Sequence, residues 1–159
     1  MYKALNLAQY IIKRQLKINK PIDNFRLNKL LYIIQYKSLF TTNKPIFDDD
    51  IFAYQNGPVV ENVYYYYRAF GALPLLSEML IRNVIDIDTN TQNFINQIIN
   101  SYQNMSLSDI DNEITKKGSA WSKVYNRKQY SIISLADIRE NIINDYINIV
   151  SSREKFNAN

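Results

Sequence analysis

Asp48-Asp49-Asp50-Ile51-Phe52-Ala53-Tyr54-Gln55-Asn56-Gly57-Pro58-Val59-Val60-Glu61-Asn62-Val63-Tyr64 is the stretch on which the reading of this chain turns. It joins a basic first part to a more acidic second part. Pro58 fixes its own φ and disfavours helix at the residue before it. Gly57 tolerates angles that a side chain forbids. The sequence therefore predicts a short extended run, Ile51 to Gln55, that stops at Asn56-Gly57. A helix is then expected from Val59 to Phe70, with Glu61 in its first turn, where the helix dipole favours a carboxylate. Gly71 is the expected stop.

Outward from this stretch, helical periodicity dominates. In residues 3–17, Ala4, Leu7, Ala8, Ile11 and Ile12 fall on one face. Asp23 or Asn24 caps the next helix, about 24–40, where Leu27, Leu30, Leu31 and Ile34 repeat at three and four residues. Asp88-Thr89-Asn90 caps a helix at 91–103. Ser106 or Ser108 caps a shorter one carrying Ile110 and Ile114. Trp121 falls in an irregular segment. Ser134 opens the last helix, with Asp137 three residues on as a capping box. Its apolar stripe is Leu135, Ile138, Ile142, Tyr146 and Ile149. Ile81–Ile87 alternates apolar and polar residues and reads as a strand pairing with the first. The expected fold is mainly α: one compact domain over residues 1–150, with about six helices and a small two-stranded β-ribbon. A polar tail covers residues 151–159.

The chain has 159 residues, enough to bury roughly 68–70% of its unfolded surface. It has no cysteine and no histidine. Thiol catalysis, histidine general bases and Cys/His zinc sites are thereby excluded. No apolar run reaches the length of a membrane span and no signal-peptide pattern opens the sequence, so the reading is cytosolic, without a membrane partner. Asp48, Asp49 and Asp50 are adjacent, lack the spacing of a calcium loop, and point alternately to opposite sides. They read as a solvated turn. Glu61 has no nucleophile beside it, and Gly57-Pro58 lacks the row of N–H groups that cradles phosphate. No catalytic, cofactor or metal site is expected, and no enzymatic activity.

Charge is uneven. Residues 1–45 carry a net +8, residues 46–115 a net −8, and residues 116–159 a net +4. Packing of opposite blocks is the plainer account. The other is an electropositive surface for nucleic acid, built on the basic N-terminal helices.

Tyr64, Tyr65, Tyr66 and Tyr67 are consecutive, so on a helix they point all the way round. The stripe Val60, Val63, Tyr64, Tyr67 and Phe70 is expected to face the core. Tyr65 then points away, on the side of Asn62, with Tyr66 near the boundary. Tyr54, Asn62, Tyr65 and Tyr66 are candidate partner-binding residues, and Trp121 is either a core or an interface anchor, with core favoured.

One resemblance spans the chain from about Leu5 to Tyr146. Leu27-Asn28-Lys29-Leu30-Leu31-Tyr32, Lys44-Pro45-Ile46-Phe47-Asp48-Asp49, Ala53-Tyr54-Gln55-Asn56-Gly57-Pro58-Val59-Val60 and Val63-Tyr64 stand in the order and spacing of the Panacea domain. This sequence resembles that SocA-like antitoxin family of bacteria and phages. The resemblance marks Leu30, Tyr32, Gly57, Pro58, Val59 and Tyr64 as motif positions. Relatives usually carry a Thr-His pair and then a Pro-Trp pair. Here Thr115 precedes Lys116 and Trp121 follows Ala120, so any role of that histidine is absent. The resemblance implies an antitoxin of a type II toxin–antitoxin system, with a cognate protein toxin bound directly as its partner. Some members deliver the toxin to an ATP-dependent protease. The alternative is a nucleic-acid-binding module, although no base-reading motif is recognisable, so no specific nucleic-acid partner is expected. An uncharacterised hydrolase is disfavoured by the missing His and Cys. The oligomeric state is not legible.

Overall fold

The structure is a computed structural model that describes residues 1–77 and 86–157. Seven helices and one two-stranded antiparallel sheet are present among these residues. The mainly α expectation holds. In chain order the elements are α1 (Ala4–Lys17), α2 (Asn24–Thr42), β1 (Ile51–Tyr54), β2 (Gly57–Val60), α3 (Glu61–Tyr67), α4 (Thr89–Tyr102), α5 (Leu107–Thr115), α6 (Ala120–Arg127) and α7 (Leu135–Asn157). A 3₁₀ turn, Arg68–Phe70, ends α3 early, and Gly71 stops it with φ +52°.

α2 is the axis of the fold. It touches α1, α3, α4, α5, α7 and β2. Its sequence looks amphipathic, yet it is buried almost all round. Leu27, Leu30, Leu31 and Ile34 are core, and so are Tyr32 and Ile33 on the other sides. Asp23 caps it by accepting from the Arg26 N–H at 2.7 Å. Arg26 in turn donates to the Tyr102 and Met105 carbonyls at 2.6 and 2.9 Å, closing the C-terminal end of α4. Such carbonyls have no partner inside their own helix.

The central stretch departs from its sequence reading. Gly57-Pro58 does not end an extended run. It opens β2, and the helix begins only at Glu61. β1 and β2 pair with Ile51 opposite Val60 and Tyr54 opposite Gly57. The ribbon partner of β1 is thus the next segment. Residues 81–85 of the strand expected at Ile81–Ile87 lie outside the described residues, and Ile87 is in no strand. Pro58 fits a strand because it stands opposite Ala53. The Ala53 N–H and C=O face the other way, to Ser131 and Tyr130 at 2.8 and 2.9 Å, so the ladder needs no donor from Pro58. Ile133 adds a third bond, to the Ile51 carbonyl. Residues 130–133 therefore flank β1 on its second side.

Caps appear where short-range chemistry placed them. Asp88 caps α4, Ser106 caps α5, and Ser134 and Asp137 exchange both bonds of a capping box at 2.9 and 3.1 Å. Trp121 is not in an irregular segment; it lies in α6, which Ser119 caps. The first half of α7 buries Ile138, with Leu135 and Ile142 packed against the core. Tyr146 and Ile149, expected on the same buried stripe, are exposed, because the helix runs past the end of the core and into residues expected as a tail.

Candidate protein-docking site

The motif positions assemble around a grip of α2 on the hairpin. Asn28 accepts the Val60 N–H at 3.0 Å and donates to the Asn24 carbonyl and side chain. Asn24 donates to the Tyr64 carbonyl at 2.9 Å. Gln35 takes the Ile46 N–H and gives to the Phe47 carbonyl, at 2.9 and 3.0 Å. All three amides are buried. Each satisfies backbone groups of another segment, which cost about 1–3 kcal/mol apiece if left unpaired inside a protein.

Lys29 completes the grip. Its side chain is only 4% exposed, its ammonium donates to the Asn56 carbonyl, and Asp111 lies at 3.6 Å. Burial pushes its pKa down, and Asp111 opposes that. The ammonium crosses directly over Gly57. A Cβ at Gly57, where φ is +102°, would stand 2.6 Å from the Lys29 nitrogen. Lys29 and Gly57, far apart in sequence, form one physical unit.

On the outside of this unit lies an aromatic face. The Tyr54 hydroxyl donates to Glu61 at 2.7 Å and sits 3.1 Å from the Tyr65 hydroxyl. Tyr64 and Tyr130 meet the Tyr54 ring edge-on, at 6.1 and 5.1 Å between centroids. The Arg68 guanidinium lies 5.7 Å above the Tyr65 ring. Desolvation, then the bonds to Tyr65 and Glu61, hold Tyr54 far above the usual tyrosine range. It stays a neutral donor.

Each candidate residue has a definite place. Tyr65 and Tyr66 are 48% and 43% exposed, while Val63 and Tyr67 are sealed beneath them. Tyr64, expected on the core stripe, is only half-buried, and so is Phe70. Asn62 is exposed and donates to Asp49 at 3.0 Å. Trp121 is half-buried against the core; its indole N–H donates to the Tyr54 carbonyl at 2.8 Å and its ring stacks on Tyr125. Tyr54, Tyr65 and Trp121 are thus brought together, and Asn62 and Tyr66 share the outer side of α3. Tyr130 was not legible as a member. It joins only because residues 130–133 flank β1, with Tyr130 itself at φ +58°. Among the motif positions, Leu30 and Tyr32 are core, and Gly57, Pro58 and Val59 are buried in the hairpin.

The acidic triplet does more than face solvent. Asp48 pairs with Lys3 at 2.9 Å, and Asp49 accepts the Ala4 N–H at 2.7 Å, capping α1 from across the fold. Among the described residues no group of His, Cys, Asp or Glu is placed to hold a metal, and no helix is long and apolar enough to cross a membrane. Among the same residues, the basic first block and the acidic middle block meet at only two ion pairs, Lys3–Asp48 and Lys29–Asp111. In the C-terminal block, Lys116, Lys123 and Arg127 pair with Asp145, Glu140 and Asp137 of α7.

In this chain a central helix grips a hairpin through buried amides and one lysine. The chain belongs to the SocA-like antitoxin family: the family model described as Antitoxin SocA-like, Panacea domain, matches residues 27–122. The matched span starts at the α2 residues that hold the hairpin and ends just after Trp121. No curated protein and no solved structure matches the chain.

Proposed function

We propose that this protein is an antitoxin that neutralises a cognate protein toxin by direct binding, with the aromatic face of Tyr54, Tyr65, Tyr66 and their neighbours as a contact. Membership of an antitoxin-like family is the observation that carries the reading. The build of the face supports it. Tyrosine offers a large, stiff surface and a hydrogen-bonding tip, and here it stands on a helix anchored to the core. The protein acts by contact and does no chemistry of its own, in keeping with carboxylates that are occupied by structural bonds. Asp48, Asp49 and Glu61 are all so engaged.

The nucleic-acid alternative draws less support. α2 supplies three of the nine basic residues of the first block, and two of them, Arg26 and Lys29, are committed to internal partners, so little of its charge is left for phosphates. The test is co-expression with the product of the adjacent gene. Growth is expected to be restored, and the two proteins to co-purify. Arrest that persists with both well expressed removes the reading. The lifetime of the toxin then separates blocking from delivery to an ATP-dependent protease, since only delivery shortens it.

A further inference from the structure

A second surface lies between α2 and α7. A groove of about 650 Å³ runs between them, floored by Tyr32, Tyr36 and Ile114. Phe40 on one bank and Tyr146 and Ile149 on the other are more than half exposed. The α7 bank runs from Asn141 to Arg153, which at helical rise is about 18 Å, or three turns. A slot of that length between two helices suits a third helix better than a compact ligand.

Its charges choose the occupant. The lining carries three cations, Lys37, Lys116 and Arg153, against two carboxylates, Glu113 and Asp145. Asp145 accepts from Tyr36 at 2.8 Å and Asn141 at 2.9 Å and pairs with Lys116, and Glu113 accepts the Tyr102 hydroxyl at 2.5 Å. Lys37 and Arg153 line the same groove and make no ion pair among the described residues. An apolar slot whose lining has more cations than carboxylates, with Lys37 and Arg153 outside any ion pair among the described residues, complements a helix with an apolar stripe and acidic flanks.

We infer that the α2–α7 groove receives an acidic amphipathic helix of the partner protein, which seats its apolar stripe on Phe40, Tyr146 and Ile149 and its carboxylates beside Lys37 and Arg153. This rests on the antitoxin reading and adds a docking site separate from the aromatic face. The overrun of α7 past the core then has a use: it builds one wall of the slot.

The test is calorimetric titration of the full chain with the adjacent gene's product. Ile149→Glu, Phe40→Glu and the double change Lys37→Glu/Arg153→Glu are compared with wild type, each checked for folding by circular dichroism and thermal melting. The altered side chains are exposed or charged, so the fold is expected to survive. Each groove variant is expected to bind at least tenfold more weakly, and the double variant to lose much of the salt dependence of binding. Folded groove variants that bind within twofold of wild type overturn the inference. If Tyr65→Ala weakens binding in the same series, that result leaves the antitoxin reading standing. Wild type that binds nothing removes both.

Discussion

Along α2, polar side chains lie inside the protein; along the second half of α7, apolar ones lie outside. Asn24, Asn28, Lys29 and Gln35 are buried, whereas Ile143, Tyr146, Ile147 and Ile149 are each more than half exposed. Hydropathy alone predicts neither. Inside, the polar groups follow the irregular backbone they serve, since the hairpin and residues 44–47 cross α2 with carbonyls and N–H groups that no ladder satisfies. Outside, the helix simply continues beyond the core. The first region repays scrutiny as stability, the second as recognition.

The sharpest way to break the first half of that contrast is Lys29→Ala. It strips the Asn56 carbonyl of its donor and leaves Asp111 beside an empty site, so urea unfolding is expected to show a loss of about 3–4 kcal/mol, as when one partner of a buried pair is removed. Exposed lysines such as Lys13 are expected to change stability by less than about 0.5 kcal/mol when replaced by Ala. A Lys29→Ala loss that small means the buried grip contributes nothing.

Gly57→Ala sharpens the same point. The positive φ alone costs a side chain about 1–2 kcal/mol, and the new Cβ also collides with the Lys29 nitrogen. In a Lys29→Ala background that collision disappears, and the backbone cost stays together with a tight 3.3 Å approach to the Thr115 methyl. The two losses are therefore expected to be non-additive, with a coupling of about 0.5 kcal/mol or more in a double-mutant cycle. Strict additivity breaks the claim that the two motif blocks act as one unit.

These partners show why part of the fold was legible and part was not. Caps are local, and Asp23, Asp88, Ser106 and the Ser134–Asp137 box were readable because donor and acceptor lie within four residues. The start of α6 carries a local signal too, since Gly118 breaks the chain and Ser119 caps the helix beyond it, but the irregular reading passed over that signal. The hairpin was not readable. Pro58 looks like a helix start until Ser131 and Tyr130 occupy the other edge of β1, and no local rule places residues 130–133 there. The aromatic candidates were half legible for the same reason. Helical geometry placed Tyr65 outward, but Tyr130 joined it through tertiary pairing alone.

Alkaline pH probes the buried phenols around the grip and along the groove. Desolvation raises the pKa of Tyr32, Tyr36, Tyr67 and Tyr102 well above the ordinary value of 10, with hydrogen bonds to Asp145 and Glu113 adding to it at Tyr36 and Tyr102. A raised folded-state pKa gives stability that is whole below about 10 and is lost as pH climbs through it. Lys29 acts in the opposite sense, because its lowered pKa makes rising pH favour the fold below its ordinary 10.5. Four phenols outweigh one ammonium. The urea midpoint is expected to be level near pH 8 and to fall by pH 11, more steeply in Lys29→Ala. A midpoint level to pH 11 contradicts the burial of these hydroxyls.

The smallest stability effect carries the contrast between buried and exposed side chains to α3 and its aromatic face. Tyr65 and Tyr67 are two residues apart on α3, chemically identical, and opposite in environment. Tyr67 is fully buried, and Tyr67→Ala is expected to cost about 3 kcal/mol, as for a core aromatic. Tyr65 is nearly half exposed; removing it takes away a hydroxyl contact and exposed ring contacts with Arg68 and Tyr64, while Tyr54 keeps its bond to Glu61. Tyr65→Ala is therefore expected to change stability by no more than about 0.5 kcal/mol. If the aromatic face is a contact, the same substitution weakens toxin binding by about 1–2 kcal/mol or more, read by calorimetry on the purified pair. Tyr65→Phe separates the two parts of that loss, since the ring stays and only the hydroxyl goes; a binding defect confined to Ala means the partner uses the ring. Tyr65→Ala that destabilises as much as Tyr67→Ala shows α3 to be buried all round, and the aromatic docking face then does not exist.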